Sequence, residues 1–194
     1  MAWMQSVDKG GVVKSVAHLG LLGSLAVILF MVETLVPRLL PSMRLGLGNA
    51  AVLLALLLYG WRAGLTVSLV KILLGGLLSG GLFGPAFVIG GGAGLASMTV
   101  MGGTHQWMRG RFSPIGLSVL GAVTHQSVQL ALAYGIYIRS ESLLALLPLF
   151  WVGGLLSGGV IGILVYWVVE KLRVNGWVAR GPKTAFSYSD SQCQ

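Results

Sequence analysis

Five polar side chains interrupt the apolar stretches of this chain, and their types could together bind a small molecule. Inside a membrane such groups are expensive unless they face the protein interior or water, and a central charge costs about 2.5–3.5 kcal/mol. We therefore expect the five to converge on one site that binds an anionic or carboxylate-bearing small molecule. The five are one carboxylate, two amides, one ammonium group and one imidazole: Glu33, Asn49, Gln129, Lys71 and His125.

Positive charge near this site would attract the anion. Lys71 would act as a point charge. His125 and Gln129 are four residues apart, so they share one face of a helix. Two arginines, Arg38 and Arg44, add positive charge toward the outer side. The predicted substrate-binding residues are Glu33, Arg38, Arg44, Asn49, Lys71, His125 and Gln129.

The three ionisable residues in apolar stretches also have structural alternatives. The ammonium group of Lys71 could snorkel to the membrane interface along its own aliphatic stem. Glu33 could do no more than form an ion pair with Arg38 or Arg44 at the outer surface. His125 could be a packed, hydrogen-bonded interior histidine. All three alternatives stay open from the residues alone.

Several kinds of catalysis are excluded by what the sequence contains. The two aspartates, Asp8 and Asp190, lie near the ends, so no aspartate pair could hold magnesium and a diphosphate. A glycine-rich phosphate loop with its lysine is missing, so we expect no ATP hydrolysis. The single cysteine is Cys193, and His18 and His105 lie near the ends of apolar runs. We therefore expect no enzyme activity, no cofactor and no metal site.

The elements that must position the site are membrane helices. Hydrophobic residues make up 55% of the 194 positions and charged residues 9%, with a mean hydropathy of +0.85. A soluble domain carries about 25% charged residues, and a membrane span needs about 20 apolar ones. The second predicted span is short for a full crossing. The composition predicts an all-α membrane protein with six transmembrane helices, near residues 17–36, 46–59, 63–82, 85–101, 114–138 and 143–169.

The basic residues indicate how the helices cross. With both ends inside, cytoplasmic segments hold nine lysines and arginines and external loops hold three, while Lys71 lies within a span. This excess is the positive-inside pattern, and it requires an even number of spans. We therefore expect a multi-pass protein of a bacterial inner membrane with both termini cytoplasmic. Residues 1–16 form a cytoplasmic N-terminal segment, 17–170 the six-helix membrane domain, and 171–194 a disordered cytoplasmic tail. We expect contact with lipid and no nucleic-acid partner.

Small residues four apart recur in the spans and allow helices to approach closely. Most of these stripes are expected to pack the protein's own helices, but Gly20 and Ser24 are candidates for docking a partner subunit. The stripes are Gly20/Ser24, Gly76/Gly80, Gly90/Gly94 and Gly154/Gly158/Gly162.

Several motifs resemble the family named heptaprenyl diphosphate synthase component I, also called Gx transporter proteins. The resemblance covers about residues 15–170 and is most specific in residues 33–49, from Glu-Thr-Leu-Val-Pro-Arg to Arg-Leu-Gly-Leu-Gly-Asn. It continues from Lys71 to Gly80 and from Phe112 to His125. The family more often has arginine at the position of Lys71. Lysine keeps the charge but lacks the planar fork for bidentate contacts.

The resemblance implies two functions. The family is similar to the substrate-binding S components of energy-coupling factor transporters, six-helix proteins that capture vitamin-like molecules and dock onto a membrane subunit driven by ATPases. This favours a substrate-capture subunit for a small anionic, vitamin- or cofactor-like molecule, with that membrane subunit and its ATPases as partners. The alternative, which the family's name implies, is a non-catalytic membrane accessory subunit of a polyprenyl diphosphate synthase.

Overall fold

A computed structural model describes residues 9–35, 46–108, 111–137 and 145–174. These residues form helices and the turns between them, with no strand in the described ranges. The helical bundle confirms the predicted fold class. The helices are α1 (Lys9–Leu35), α2 (Leu47–Tyr59), α3 (Trp61–Leu78), α4 (Pro85–Trp107), α5 (Pro114–Leu132, continued by a π-helical turn at Ala133–Tyr137) and α6 (Leu147–Val174).

Five of these helices are long and apolar enough to cross a membrane, and α2 is the exception. Its 13 residues extend about 20 Å at 1.5 Å per residue, whereas the hydrocarbon core of a bilayer is about 30 Å thick. The lengths and hydropathies support a multi-pass membrane protein. They also leave α2 about 10 Å short of a full crossing.

The short helix α2 is the buried centre of the bundle. Its residues 50–56 are all buried, and it contacts each of the other five helices. A helix that is apolar on every side is covered by protein or by lipid, and five helices of membrane-spanning length contact this one. Since protein rather than lipid covers α2, its ends need not reach the membrane surface.

Glycine permits the two tight turns around α3. Gly60, with φ +86°, is the single residue between α2 and α3, and its N–H donates to the carbonyl of Leu56 at 2.9 Å. After α3, Gly80 adopts φ +66°. These left-handed angles suit glycine because it has no Cβ. The turn at residues 79–84 ends α3 four residues before the predicted limit of residue 82.

Other helix limits differ from the hydropathy prediction because hydropathy detects only the lipid-facing part of a helix. Helix α1 begins at Lys9 rather than at residue 17, and α6 continues to Val174 rather than ending near residue 169. Polar residues can extend a helix beyond the hydrocarbon without raising its hydropathy. Helix α5 begins at Pro114 as predicted, and the Ser113 hydroxyl accepts a hydrogen bond from the Gly116 N–H at 3.1 Å.

The predicted glycine stripe on α6 packs against α5. A Cβ added at Gly158 would lie 2.8 Å from the Cα of Val119, and one added at Gly162 would lie 2.6 Å from the Cα of Ile115. The α6 numbers rise as the α5 numbers fall, so the two helices are antiparallel. Gly158 and Gly162 therefore let two backbones meet directly, as small residues do in membrane helices.

The remaining stripes divide between internal packing and an open face. Gly76 lies against the ring of Phe87, and Gly94 lies against Ile72, so both serve packing inside the bundle. By contrast, Gly20 is exposed and has no atom within 4 Å of an added Cβ. The Gly20/Ser24 stripe therefore faces away from the helices that the structure describes.

The side of the membrane on which each terminus lies stays a prediction, and reporter fusions can test it. Fusions after Arg111 and at the C-terminus should report a cytoplasmic position, and a fusion after Arg139 should report an external one. The reason is the excess of basic residues in alternate loops. An external C-terminus would contradict both the orientation and the count of six crossings.

Candidate functional site

A cavity lies at the N-terminal end of α2, where the short helix stops inside the bundle. Its volume is about 70 Å³, below the roughly 300–1,000 Å³ of typical small-molecule pockets. The cavity can therefore enclose a small polar group but not a large molecule. It is lined by Phe30, Glu33, Gly46, Gly48, Asn49, Lys71, Ile72, Gly76, Ser79, Gly81, Ala86, Phe87, Gly90, Gly91 and His125.

Lys71 of α3 supplies the cavity's lysine ammonium group. Its side chain is 7% exposed, and its Nζ donates a hydrogen bond to Oδ1 of Asn49 on α2. Gly48 makes room for the stem, since a Cβ at that position would lie 3.0 Å from the lysine Cδ. The structure therefore places Lys71 in the interior of the bundle, among the residues that line the cavity.

Glu33 of α1 is buried and caps α2. Its Oε1 accepts a hydrogen bond from the N–H of Gly46 at 2.7 Å. Gly46 precedes α2 with φ +77°, which glycine adopts without strain. A carboxylate at this end of a helix also complements the positive end of the helix dipole. Glu33 therefore stabilises the start of α2 while it lines the cavity.

His125 of α5 is buried and lines two neighbouring cavities. The second cavity, of about 20 Å³, shares Gly46, Asn49 and His125 with the first. The shared residues join the two cavities at the start of α2. The second cavity is lined by Gly46, Asn49, Leu53, Ser97, Met101, Ser118, Gly121, Ala122, His125, Gln126, Ser157 and Ile161.

The structure brings together four of the seven predicted substrate-binding residues. Glu33, Asn49, Lys71 and His125 come from four different helices and line the first cavity. Gln129 is also buried, but it is not among the residues that line either of these cavities. Arg38 and Arg44 lie outside the described residues.

The predicted docking pair lies away from this site. Gly20 and Ser24 are both exposed on α1, and the Ser24 hydroxyl donates to the carbonyl of Gly20 at 3.0 Å.

Within the described ranges, no three His, Cys, Asp or Glu side chains form a group that could hold a metal ion.

Sequence reasoning missed the glycines and aromatic rings that form the walls of the first cavity. It also missed the buried glutamine that lines the second. Glycines such as Gly76 and Gly91 form much of the first wall because they let α3 and α4 meet closely. Phe30 and Phe87 add aromatic walls. Gln126 is 2% exposed in the second cavity. The signal that could have found it is a glutamine within an apolar span, which is of the same kind as His125.

Comparison with known proteins supports the family but only part of the predicted function. The model of the family described as heptaprenyl diphosphate synthase component I matches residues 22–168. None of the curated proteins and none of the solved structures compared with the chain matches it significantly. The match confirms the predicted family and fits the alternative function, a synthase subunit, better than the favoured transporter. The chain therefore belongs to the heptaprenyl diphosphate synthase component I family.

Proposed function

We propose that the chain is the membrane-embedded accessory subunit of a two-component polyprenyl diphosphate synthase. The observation that carries this proposal is the family match over residues 22–168, because the family is described as a numbered component of a synthase. A component I implies a second component, which would be the chain's protein partner.

The residues of the chain support a non-catalytic role within that assembly. Prenyl transfer from a diphosphate substrate uses magnesium, which prefers carboxylate oxygens as ligands. The aspartates of this sequence are Asp8 and Asp190, near its two ends. The second component would therefore supply the magnesium site and the chemistry, and this chain would hold that component at the membrane.

The cavity at the start of α2 is the proposed ligand site. The N-terminus of α2 carries partial positive charge, part of which Glu33 already offsets by accepting from the N–H of Gly46. The ammonium group of Lys71 adds a full charge inside the bundle, where electrostatic interactions are stronger than in water. Because the cavity measures about 70 Å³, we propose that it binds the anionic group of a ligand, while the rest of the ligand lies outside it.

Co-purification tests the assembly. A tagged chain isolated from its own membranes should recover a soluble, aspartate-rich prenyltransferase. Gly20→Leu should lower that recovery several-fold without unfolding the chain, since no atom lies within 4 Å of an added Cβ there. Gly159→Leu is the matched control, because Gly159 of α6 also has open space around it.

One outcome would contradict the assembly, and another would contradict only the docking face. If the chain recovers no prenyltransferase, the proposed assembly fails. If Gly20→Leu and Gly159→Leu lower recovery equally, the assembly survives but the Gly20/Ser24 face is not where the partner docks.

A substrate-capture subunit of a transporter is the second candidate function. The observation that favours it is the convergence of Glu33, Asn49, Lys71 and His125 from four helices on one cavity. Anchoring a soluble enzyme does not by itself require such a cavity. Mass spectrometry of purified protein separates the candidates: a water-soluble anion and a membrane subunit with ATPases would favour the transporter, and a prenyltransferase the synthase.

A further inference from the structure

Gln126 carries a buried polar atom that the described residues leave unsatisfied. The side chain is 2% exposed, and its Oε1 has no hydrogen-bond partner among the described residues. A buried acceptor without a partner costs about 1–3 kcal/mol. Exchanging the oxygen and nitrogen of the amide would leave a buried donor in the same position, so the need for a partner does not depend on that assignment.

The second cavity, which Gln126 lines, has the size of a water site. Its volume is about 20 Å³, and a cavity needs at least about 10–15 Å³ to hold one water molecule. A buried water also needs two to four polar partners. Besides Gln126, the cavity is lined by polar residues on four helices: Asn49, Ser97, Ser118, His125 and Ser157.

The serine hydroxyls of this cavity can accept hydrogen bonds. Ser97 donates to the carbonyl of Gly121 at 2.8 Å, and Ser157 donates to the carbonyl of Gly154 at 3.4 Å. A hydroxyl that has used its proton still has lone pairs with which it can accept. A water that donates to Gln126 could therefore donate its second proton to one of these serines.

A cation suits this cavity less well than water does. Among the described residues that line it there is no carboxylate, and a buried cation without a compensating charge is costly. The ammonium group of Lys71 lies in the adjoining cavity, and its Asn49 partner lines both. That positive charge would repel a metal ion at short range, whereas a neutral water avoids this cost.

We propose that the second cavity holds one ordered water molecule hydrogen-bonded to Gln126. The two cavities share Asn49 and His125, so this water would extend the polar interior from the first cavity toward the other side of the bundle. From Ala86 in the first cavity to Met101 in the second, the distance along α4 is about 22 Å. The residues that line the two cavities therefore extend over about 22 Å of α4.

Radiolytic labelling in ¹⁸O water tests this water site with a matched pair of methionines. A short X-ray pulse makes hydroxyl radicals from bound as well as bulk water, and methionine next to such a water is oxidised to its sulfoxide. Met101 lines the second cavity and is 3% exposed, whereas Met98 of the same helix is 0% exposed and does not line it. We expect Met101 to be oxidised several-fold faster than Met98, with exposed Met108 as the reference for bulk water.

A variant locates the water at Gln126. Gln126→Leu removes the acceptor and should lower the oxidation rate of Met101 to that of Met98. Val128→Leu is the control, because it enlarges a partly buried residue of α5 that does not line the cavity, and it should leave the rate of Met101 unchanged. Thermal unfolding of both variants checks that the bundle is intact.

Equal oxidation of Met101 and Met98 in the parent protein would overturn the proposal, and this comparison needs no variant. If Gln126→Leu kept the parent rate at Met101, water could be present but not bound to Gln126, and the assignment would fail. The proposal does not depend on the synthase or on the transporter function, since it rests on the interior of the bundle alone.

Discussion

Lys71→Met is expected to lower retention of the anionic ligand by at least about tenfold while the bundle stays folded. A hydrogen bond to a charged group contributes about 1.5–3 kcal/mol, and 1.4 kcal/mol corresponds to a factor of ten in affinity. Methionine has nearly the length of lysine and suits an apolar interior. Asn49, which accepts the hydrogen bond from Lys71, lines the cavity and can bond to water instead. The measurement is mass spectrometry of the small anions that co-purify with parent and variant, with thermal unfolding as the check on folding.

Two further variants make this test selective. Lys71→Arg keeps the charge and should retain most of the ligand, whereas His125→Ala should weaken binding less than Lys71→Met does, because the imidazole is not the point charge. If Lys71→Met retained the ligand as well as the parent, the lysine would serve the packing of the bundle, including its bond to Asn49, and not the ligand. The anionic-ligand proposal would then be wrong, although the synthase assembly could still hold.

Gly162→Ala is expected to destabilise the bundle by about 1–3 kcal/mol, the usual cost of overpacking a well-packed interior. The new methyl group would lie 2.6 Å from the Cα of Ile115 and 3.2 Å from its carbonyl oxygen. Both contacts are with backbone, so no side chain can rotate away, and α5 and α6 must separate. Unfolding in detergent, followed by helical circular dichroism against temperature or denaturant, measures the change in the free energy of unfolding.

Gly159→Ala provides the comparison within the same helix. No atom lies within 4 Å of an added Cβ at Gly159, and alanine favours a helix over glycine by about 1 kcal/mol. This variant should therefore be as stable as the parent or slightly more stable. If Gly162→Ala behaved in the same way, the close approach of α5 and α6 would be wrong.

The fold could be predicted because each long helix carries its own signal. An apolar run of about 20 residues must be helical in lipid to satisfy its backbone, whatever its neighbours are. Limits such as Lys9 of α1 and Val174 of α6 were not predictable in this way, because a helix can continue past the hydrocarbon. The role of α2 as the buried centre depends on contacts with five other helices, and no local pattern encodes them.

The sequence predicts which polar side chains face the interior of the bundle, but not which contacts they make there. Polar groups in membrane spans must face the interior, so Glu33, Asn49, Lys71 and His125 were expected to converge. Nothing in the residue types indicated that Glu33 accepts a hydrogen bond from the backbone of Gly46. Gln129 was placed with His125 because they share a helix face, but one turn is about 5.4 Å along the axis, and Gln129 does not line the cavity.

The order of the two functions was the least predictable part. The resemblance to S components, together with the polar residues that converge inside the spans, favours a transporter. The family model matches residues 22–168, and the family is described as a component of a synthase. A cavity shows that a ligand can be held, but it does not distinguish transport from assistance to an enzyme.

The shortness of α2 has a consequence for how the chain enters the membrane during synthesis. A segment of 13 residues is too short to cross the hydrocarbon alone, and its first turn carries the polar side chain of Asn49. Only Gly60 separates α2 from α3, so the two can insert together as a helical hairpin. At its start, α2 bonds to both neighbouring helices: Lys71 of α3 donates to Asn49, and Glu33 of α1 accepts from the N–H of Gly46. The packing of α1 against this hairpin therefore also completes the polar site at the start of α2.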